Sequence, residues 1–285
     1  MGLNILGRIE SVLDDLPKSE KKIGLFVKSN PQQVIGMTAS ELAKMSGSSP
    51  ATVIRFCKSI DISSYTEMKV HLSSEITSPR MVGYSDITEN ESIEEIKQKL
   101  LGNAYQSMVD TVEQLNHHRV EEAVQTLSQA PVIYLYGVGA SQLVVANILQ
   151  KWSRIGKVVI FNDDFHTLLP SILTAPKESV LWVVSNSGET IEVLNMVRIA
   201  KDNGLKTIGL TQFGTNSLTE SVDVPVQTVK AKEAVIRSAA TSSLHAQFMI
   251  VDIIFFAYAS VRLEENSDYI KKSRDIINRI SKNLK

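Results

Sequence analysis

The run Ser185-Asn186-Ser187-Gly188-Glu189-Thr190 concentrates hydroxyl groups around a glycine. An apolar, β-branched run, Leu181 to Val184, precedes it, which is the pattern of a buried strand. Apolar residues at helical spacing follow it, from Ile191 to Ala200. Hydroxyls and backbone N–H groups at such a strand-to-helix turn lie at the positive end of a helix dipole, where an anion, phosphate above all, is stabilised. The same residues also suit a purely local role, with Ser187 or Gly188 capping the helix.

A second turn of this kind, Gly137-Val138-Gly139-Ala140-Ser141, follows the apolar run Val132 to Tyr136. It does not read as a dinucleotide fingerprint. The third glycine is replaced by Gln142, and no acidic residue stands near the end of the next apolar run before Asp163 and Asp164. A P-loop is excluded because no Gly-Lys-Ser/Thr follows. What remains is two small turns offering Ser141, Ser185, Ser187 and Thr190 to one anion. That fits a single phosphate ester carrying several hydroxyls, such as a sugar phosphate. No cofactor and no metal are expected.

The elements that must position these turns alternate. Strands are predicted at 132–136, 158–161, 179–184, 207–211 and 222–227, with helices at 142–155, near 166–173 and at 189–203. Strands separated by helices require parallel crossovers. The expected C-terminal domain is therefore a doubly wound, flavodoxin-like parallel sheet of five strands. Ligands bind such sheets at the carboxyl ends of the strands, where both turns fall.

Residues 1 to about 76 carry helical patterns and no strand-like alternation. Leu6, Ile9, Val12, Leu13 and Leu16 share a face, and Pro17 closes that segment; Ser19 is expected to cap the next helix, which holds Ile23, Phe26 and Val27. Thr38 and Glu41 form a capping box, Gly47 lies in a turn needing positive φ, and Ser48 or Ser49 caps a helix whose first turn accepts Pro50. This is a helix-turn-helix, the second helix of which would enter the major groove. Val53, Ile54, Phe56 and Ile60 are expected inward, and Ser48, Ser49, Ala51, Thr52, Arg55 and Lys58 outward toward bases and phosphates. A helical dimerisation module is the competing reading. Its support is the charge balance: residues 1–76 hold nine Lys/Arg and eight Asp/Glu, less basic than a strong DNA binder. The turn chemistry favours DNA.

Composition bounds the rest. The chain has 285 residues, 43% hydrophobic and 21% charged, enough for two domains of an ordinary globular protein. A net charge of −1 gives no global pull toward nucleic acid, so a DNA contact must be a local patch. The one cysteine, Cys57, precludes an intrachain disulfide and reads as core. His117 and His118 are adjacent and cannot form a metal pair on one helix face. The start lacks a leader pattern, and the run Phe248 to Ala257, broken by Asp252, reads as a buried helix too short to span a bilayer. A cytoplasmic location without membrane contact is expected. The predicted domains are 1–77, a turn-rich linker at 78–92, and 93–285 with two leading helices.

The Gly-x-Gly-x-Ser and Ser-x-Ser-Gly-x-Thr turns resemble those of the sugar isomerase (SIS) domain, and the whole chain resembles the MurR/RpiR family of bacterial transcription regulators. The segment from Lys44 to Arg55 is similar to that family's recognition-helix pattern. The resemblance implies a phosphosugar effector held by Gly137, Gly139, Ser141, Ser185, Asn186, Ser187, Gly188 and Thr190. It also implies a homodimer or homotetramer formed through the SIS domains, so that a dimer would read a near-palindromic double-stranded operator. The stretch Glu233-x-x-x-Arg237 resembles one preceding the last helix in these regulators, with Glu233 accepting bonds from sugar hydroxyls and Arg237 supporting it or the phosphate. His245, on an apolar helix, is read as a packed residue rather than a base. Sensing is expected, not turnover. The alternative is a phosphosugar isomerase or lyase with a helical dimerisation module.

Overall fold

The computed structural model describes residues 5–77, 89–230, 241–261 and 263–283. Glu233, Arg237 and most of the expected linker lie outside them. The chain divides into two compact units. The first comprises 1–115, 212–215 and 228–246, and the second 116–211, 216–227 and 247–285.

The first unit is helical: α1 (Ile5–Val12), α2 (Lys18–Ser29), α3 (Pro31–Gly36), α4 (Ala39–Met45), α5 (Pro50–Ser59), α6 (Tyr65–Thr77) and α7 (Ile93–Gln114). One core joins α1 to α6, through Ile5, Ile9, Val12, Ile23, Val27, Val34, Leu42, Val53, Phe56, Ile60, Met68 and Leu72. Ser19 does not cap α2: the helix already begins at Lys18, after Pro17. The fixed φ of Pro17 ends the preceding turn just where the next helix can start. The α7 helix opens with a capping box of Ser92 and Glu95. It groups with the N-terminal helices, although the sequence pattern suggested a lead-in to the sheet.

Two further stretches complete this unit. The guanidinium of Arg8 lies 5.5 Å from the centre of the Phe213 ring. The amide of Lys230 donates to the Ser11 hydroxyl at 3.3 Å, and that of Val229 to the Thr111 hydroxyl at 3.2 Å.

The second unit contains α8 (His117–Gln129), β1 (Val132–Gly137), α9 (Ser141–Arg154), β2 (Val158–Phe161), α10 (Phe165–Leu173), β3 (Val180–Val184), α11 (Ile191–Asp202), most of β4 (Lys206–Gln212), α12 (Ser217–Ser221) and most of β5 (Val224–Thr228). Two long helices follow, α13 (Ser242–Val261), most of which lies in this unit, and α14 (Leu263–Asn283). The sheet order is β2-β1-β3-β4-β5, with β1 parallel to both β2 and β3, and β3 parallel to β4. Alternation along the strands sends side chains to opposite faces. Tyr134, Tyr136, Leu181 and Val183 pack against α10, α11 and α12. On the other face Trp182 meets Trp152 of α9 edge-on at 5.1 Å, and Trp152 meets Phe255 of α13 at 5.2 Å. Such edge-to-face pairs add to the burial of two large rings.

The α13 helix is twice as long as the apolar run read from the sequence. Among the described residues it is the one helix whose length and composition would let it cross a membrane. Here Gln247, Ile250, Val251, Ile254 and Tyr258 are buried, while Asp252 pairs with Lys151 at 2.7 Å.

Candidate functional site

The register pairs Gly137 with Val184, the last residues of neighbouring parallel strands, so the turns 138–140 and 185–190 leave the sheet side by side. Each opens directly into a helix, α9 or α11. The N-terminal N–H groups of a helix have no partners within it. Neither helix receives a side-chain cap: the cap positions are Ala140 and Thr190, and neither makes a capping bond. The local capping role weighed for Ser187 and Gly188 is therefore not the one they take. Ser187 accepts a bond from the Glu189 amide at 3.2 Å, inside the turn, and Gly188 donates to the Ser185 carbonyl. The Thr190 hydroxyl instead pairs with that of Ser185 at 3.0 Å. Two helix N-termini without side-chain caps thus lie at neighbouring strand ends, with the hydroxyls of Ser141, Ser185, Ser187 and Thr190 in or beside the turns. At α9 the Ser141, Gln142 and Leu143 amides already donate to the Val138, Gly139 and Ala140 carbonyls at 3.3, 3.0 and 3.1 Å.

The backbone explains the glycines. Gly188 has φ +73°, and a Cβ there would sit 2.1 Å from Asn216 Oδ1. Its carbonyl accepts the Leu218 amide at 3.0 Å, so the turn lies directly against the start of α12. At Gly137 a Cβ would meet the Val184 carbonyl oxygen at 3.1 Å, so the two strand ends approach closely. Gly139 has φ +60° and stands in open space.

Side chains outside the predicted set hold the second turn. Gln247 donates to Asn186 Oδ1 at 3.1 Å, and the Thr211 hydroxyl to the Asn186 carbonyl at 3.2 Å. Asn186 is thus fixed from two elements. Glu189 accepts the Ser217 hydroxyl at 2.6 Å and its amide at 2.8 Å, and these bonds hold the carboxyl below its ordinary range. Gln247 carried a legible signal: beyond the two serines that open α13, it is a polar residue buried in an apolar helix, two positions beyond His245. His245 itself is exposed and bonds the Thr241 carbonyl at 2.8 Å, so it is not packed as expected. Among the described residues no cluster of His, Cys, Asp or Glu could hold a metal ion.

In the first unit, Thr38 and Glu41 make both bonds of the capping box, Gly47 has φ +63°, and the Ser49 hydroxyl accepts the Thr52 amide at the start of α5. Ser49, Ala51, Arg55 and Lys58 face outward, and Ser48 is half-buried with its hydroxyl on that of Ser46 at 2.9 Å. Two expectations are corrected. Thr52 is buried, its hydroxyl on Ser49 at 2.9 Å and accepting Arg55 Nη2 at 3.1 Å, so it positions groups rather than reaching the groove. Ile54, expected inward, is exposed. The buried stripe is Val53, Phe56, Cys57 and Ile60, and Ile54 lies one residue off it. Burial pushes the Cys57 thiol up to about 11, which suits a core residue and not a reactive one.

Comparison with known proteins agrees with this two-part construction. Residues 3–79 match the helix-turn-helix domain of the rpiR family, and residues 126–257 match the SIS domain. The chain is 36% identical over 272 residues to the HTH-type transcriptional regulator YbbH of Bacillus subtilis, covering 95% of this chain and 96% of that one. It is 25% identical to the HTH-type transcriptional regulator HexR of Escherichia coli over 96% of this chain and 94% of HexR. The Vibrio vulnificus NanR protein, solved in complex with ManNAc-6P, superposes with a TM-score of 0.61 at 21% identity, over 97% of this chain and 99% of NanR. With a helix-turn-helix match over residues 3–79, a SIS match over residues 126–257 and a relative 36% identical over 95% of its length, the chain belongs to the rpiR family of helix-turn-helix transcriptional regulators that carry a SIS domain.

Proposed function

We propose that this regulator binds a near-palindromic operator with α5 and that a sugar phosphate, held between the turns at β1 and β3, sets its operator affinity. The observation that carries the ligand reading is the pair of adjacent helix ends left without side-chain caps beside Ser141, Ser185, Ser187 and Thr190. Two helix dipoles and several hydroxyl donors favour a dianionic phosphate far more than a neutral ligand. The remaining contacts with the sugar fall to Asn186, Glu233 and Arg237, with Glu233 accepting from hydroxyls. NanR, which shares this fold and was solved with a phosphosugar, supports the ligand class. The match to a DNA-binding domain ahead of the SIS domain favours sensing of the ligand over its turnover.

The protein acts in the cytoplasm as a homodimer or larger homo-oligomer. Phe256 and Val261 of α13 and Leu263 of α14 are exposed apolar side chains, surface suited to self-association. Two copies would present paired reading helices to a two-fold operator.

The test is a titration against a fluorescent duplex of the protein's own upstream region, at fixed salt because phosphate contacts make affinity steeply salt-dependent. One sugar phosphate from a panel shifts the affinity, and Ser187→Ala abolishes the shift while leaving ligand-free DNA binding intact. Consumption of a sugar phosphate without duplex binding would overturn the regulator reading.

A further inference from the structure

We propose that Ile54 reads thymine: its exposed aliphatic side chain, on the outward face of α5, contacts the C5-methyl group of one thymine in each operator half-site. The inference rests on the DNA-reading role of α5 proposed above. Its basis is the division of that helix into two stripes. Val53, Phe56, Cys57 and Ile60, spaced i, i+3, i+4 and i+7, are fully buried. Ala51, Ile54, Arg55 and Lys58 repeat the same spacing on the outer face, and Ile54 is 43% exposed there.

An isoleucine at this position has no local explanation. A β-branched side chain in a helix interior loses rotamer freedom against the preceding turn, so propensity disfavours it. Its exposed surface contributes little to the core beneath. Single exposed apolar residues are ordinary on protein surfaces. What distinguishes Ile54 is its place on the reading face, between a small residue that lets the backbone approach and a charged fork. Arg55 beside it is held by Thr52 at 3.1 Å and faces Glu20 at 3.7 Å. In the major groove every base edge presents donors or acceptors, and the thymine methyl is the apolar group available to a side chain of this kind.

Uracil removes that methyl and keeps the rest of the groove edge. Full-length protein is titrated at fixed salt against its upstream duplex, with each thymine replaced singly by uracil. The wild type is expected to lose about threefold to fivefold at one thymine per half-site, the order of effect of one buried methyl. Ile54→Ala should bind the thymine duplex about that much more weakly and show a thymine-to-uracil ratio near one at that position, with ratios elsewhere unchanged. Ile54→Val should fall between. All three proteins should melt alike, since the side chain is outside the core. Ratios in Ile54→Ala equal to the wild type at every position, or a wild type indifferent to uracil throughout, overturn the inference and leave Ile54 to a protein partner. A wild type that binds no duplex overturns instead the regulator reading on which it rests.

Discussion

Glu20 of α2 lies buried beneath α5 with a carboxylate oxygen 3.7 Å from Arg55 Nε, while its other oxygen accepts the Ser59 hydroxyl at 2.7 Å. An acidic residue under the helix proposed to read DNA makes physical sense in this geometry. It grips one edge of a guanidinium that is otherwise largely exposed, and so aims the fork outward. Glu20→Gln keeps an acceptor for Ser59 and removes the charge. Its melting temperature should stay within a few degrees of wild type. Its preference for operator over random duplex, measured at fixed salt, should fall several-fold. An unchanged preference would mean that Arg55 needs no aiming.

Arg8 meets the chain where α5 ends. Its Nη1 donates to the carbonyls of Ile60 and Asp61 at 3.0 and 2.8 Å, and to Asp61 Oδ2 at 3.2 Å. Asp61 has φ +56°, a strained conformation for a non-glycine residue, and Arg8 ties it down. Arg8→Ala leaves buried carbonyls without a donor as well as a void. The expected loss is about 2–4 kcal/mol of unfolding free energy, read by denaturant titration of the N-terminal helices. Arg8→Lys should recover only part, since one ammonium cannot also reach the Gln114 carbonyl that Nη2 meets at 3.5 Å.

Gly188→Ala tests the turn itself. The substitution demands both a left-handed backbone and a Cβ inside the van der Waals radius of Asn216. The conformational part alone is about 1–2 kcal/mol, and the clash requires Asn216 to move. The response to sugar phosphate should disappear while ligand-free DNA binding survives. Gly139→Ala, where a Cβ meets nothing, should be milder in stability.

Asp223 predicts a pH dependence. Partial burial raises its carboxyl, but the Thr207 hydroxyl at 2.8 Å, the Thr207 amide at 2.9 Å and Lys201 at 3.3 Å outweigh burial, and the net direction is down. A carboxyl lowered in the folded state stabilises it fully above its unfolded value of about 4. That stability drains away as pH falls below about 4 toward the folded value. Asp223→Asn should therefore flatten the acid limb of the stability curve, measured by thermal melts between about pH 3 and pH 6.

The legible parts of this fold are those written in strong periodicity. Strands expected at 132–136 and 158–161 are observed at Val132–Gly137 and Val158–Phe161: the buried β1 is a run of apolar residues bounded by turn residues, and the half-exposed edge strand β2 is a short β-branched run of the same kind. The capping box at Thr38 and the cap at Ser49 were legible for the same reason: short-range chemistry determines them. The face of Ile54 was not, because an isoleucine beside a buried stripe looks like part of it. Nor were the pairings of Gln247 and Asn216: a polar residue in an apolar helix marks Gln247 as unusual, but its partner Asn186 lies 61 residues away, as Gly188 lies 28 from Asn216, and each is met only through the fold. The Arg8 contact with Ile60 and Asp61 was equally invisible, since nothing local asks an arginine in an amphipathic helix to serve another helix's carbonyls.

The first unit draws on three separate stretches of chain, 1–115, 212–215 and 228–246. A swap of reading heads between regulators at the apparent linker would strand Arg8 from Phe213 and Ser11 from Lys230, while Thr111 and Val229, both beyond the linker, would stay together. A hybrid repertoire made by exchanging whole N-terminal domains would thus inherit mismatched seams. If α5 reads the operator as proposed, its specificity would be more readily rewritten by point changes on the outer face of α5 than by transplanting the domain that bears it.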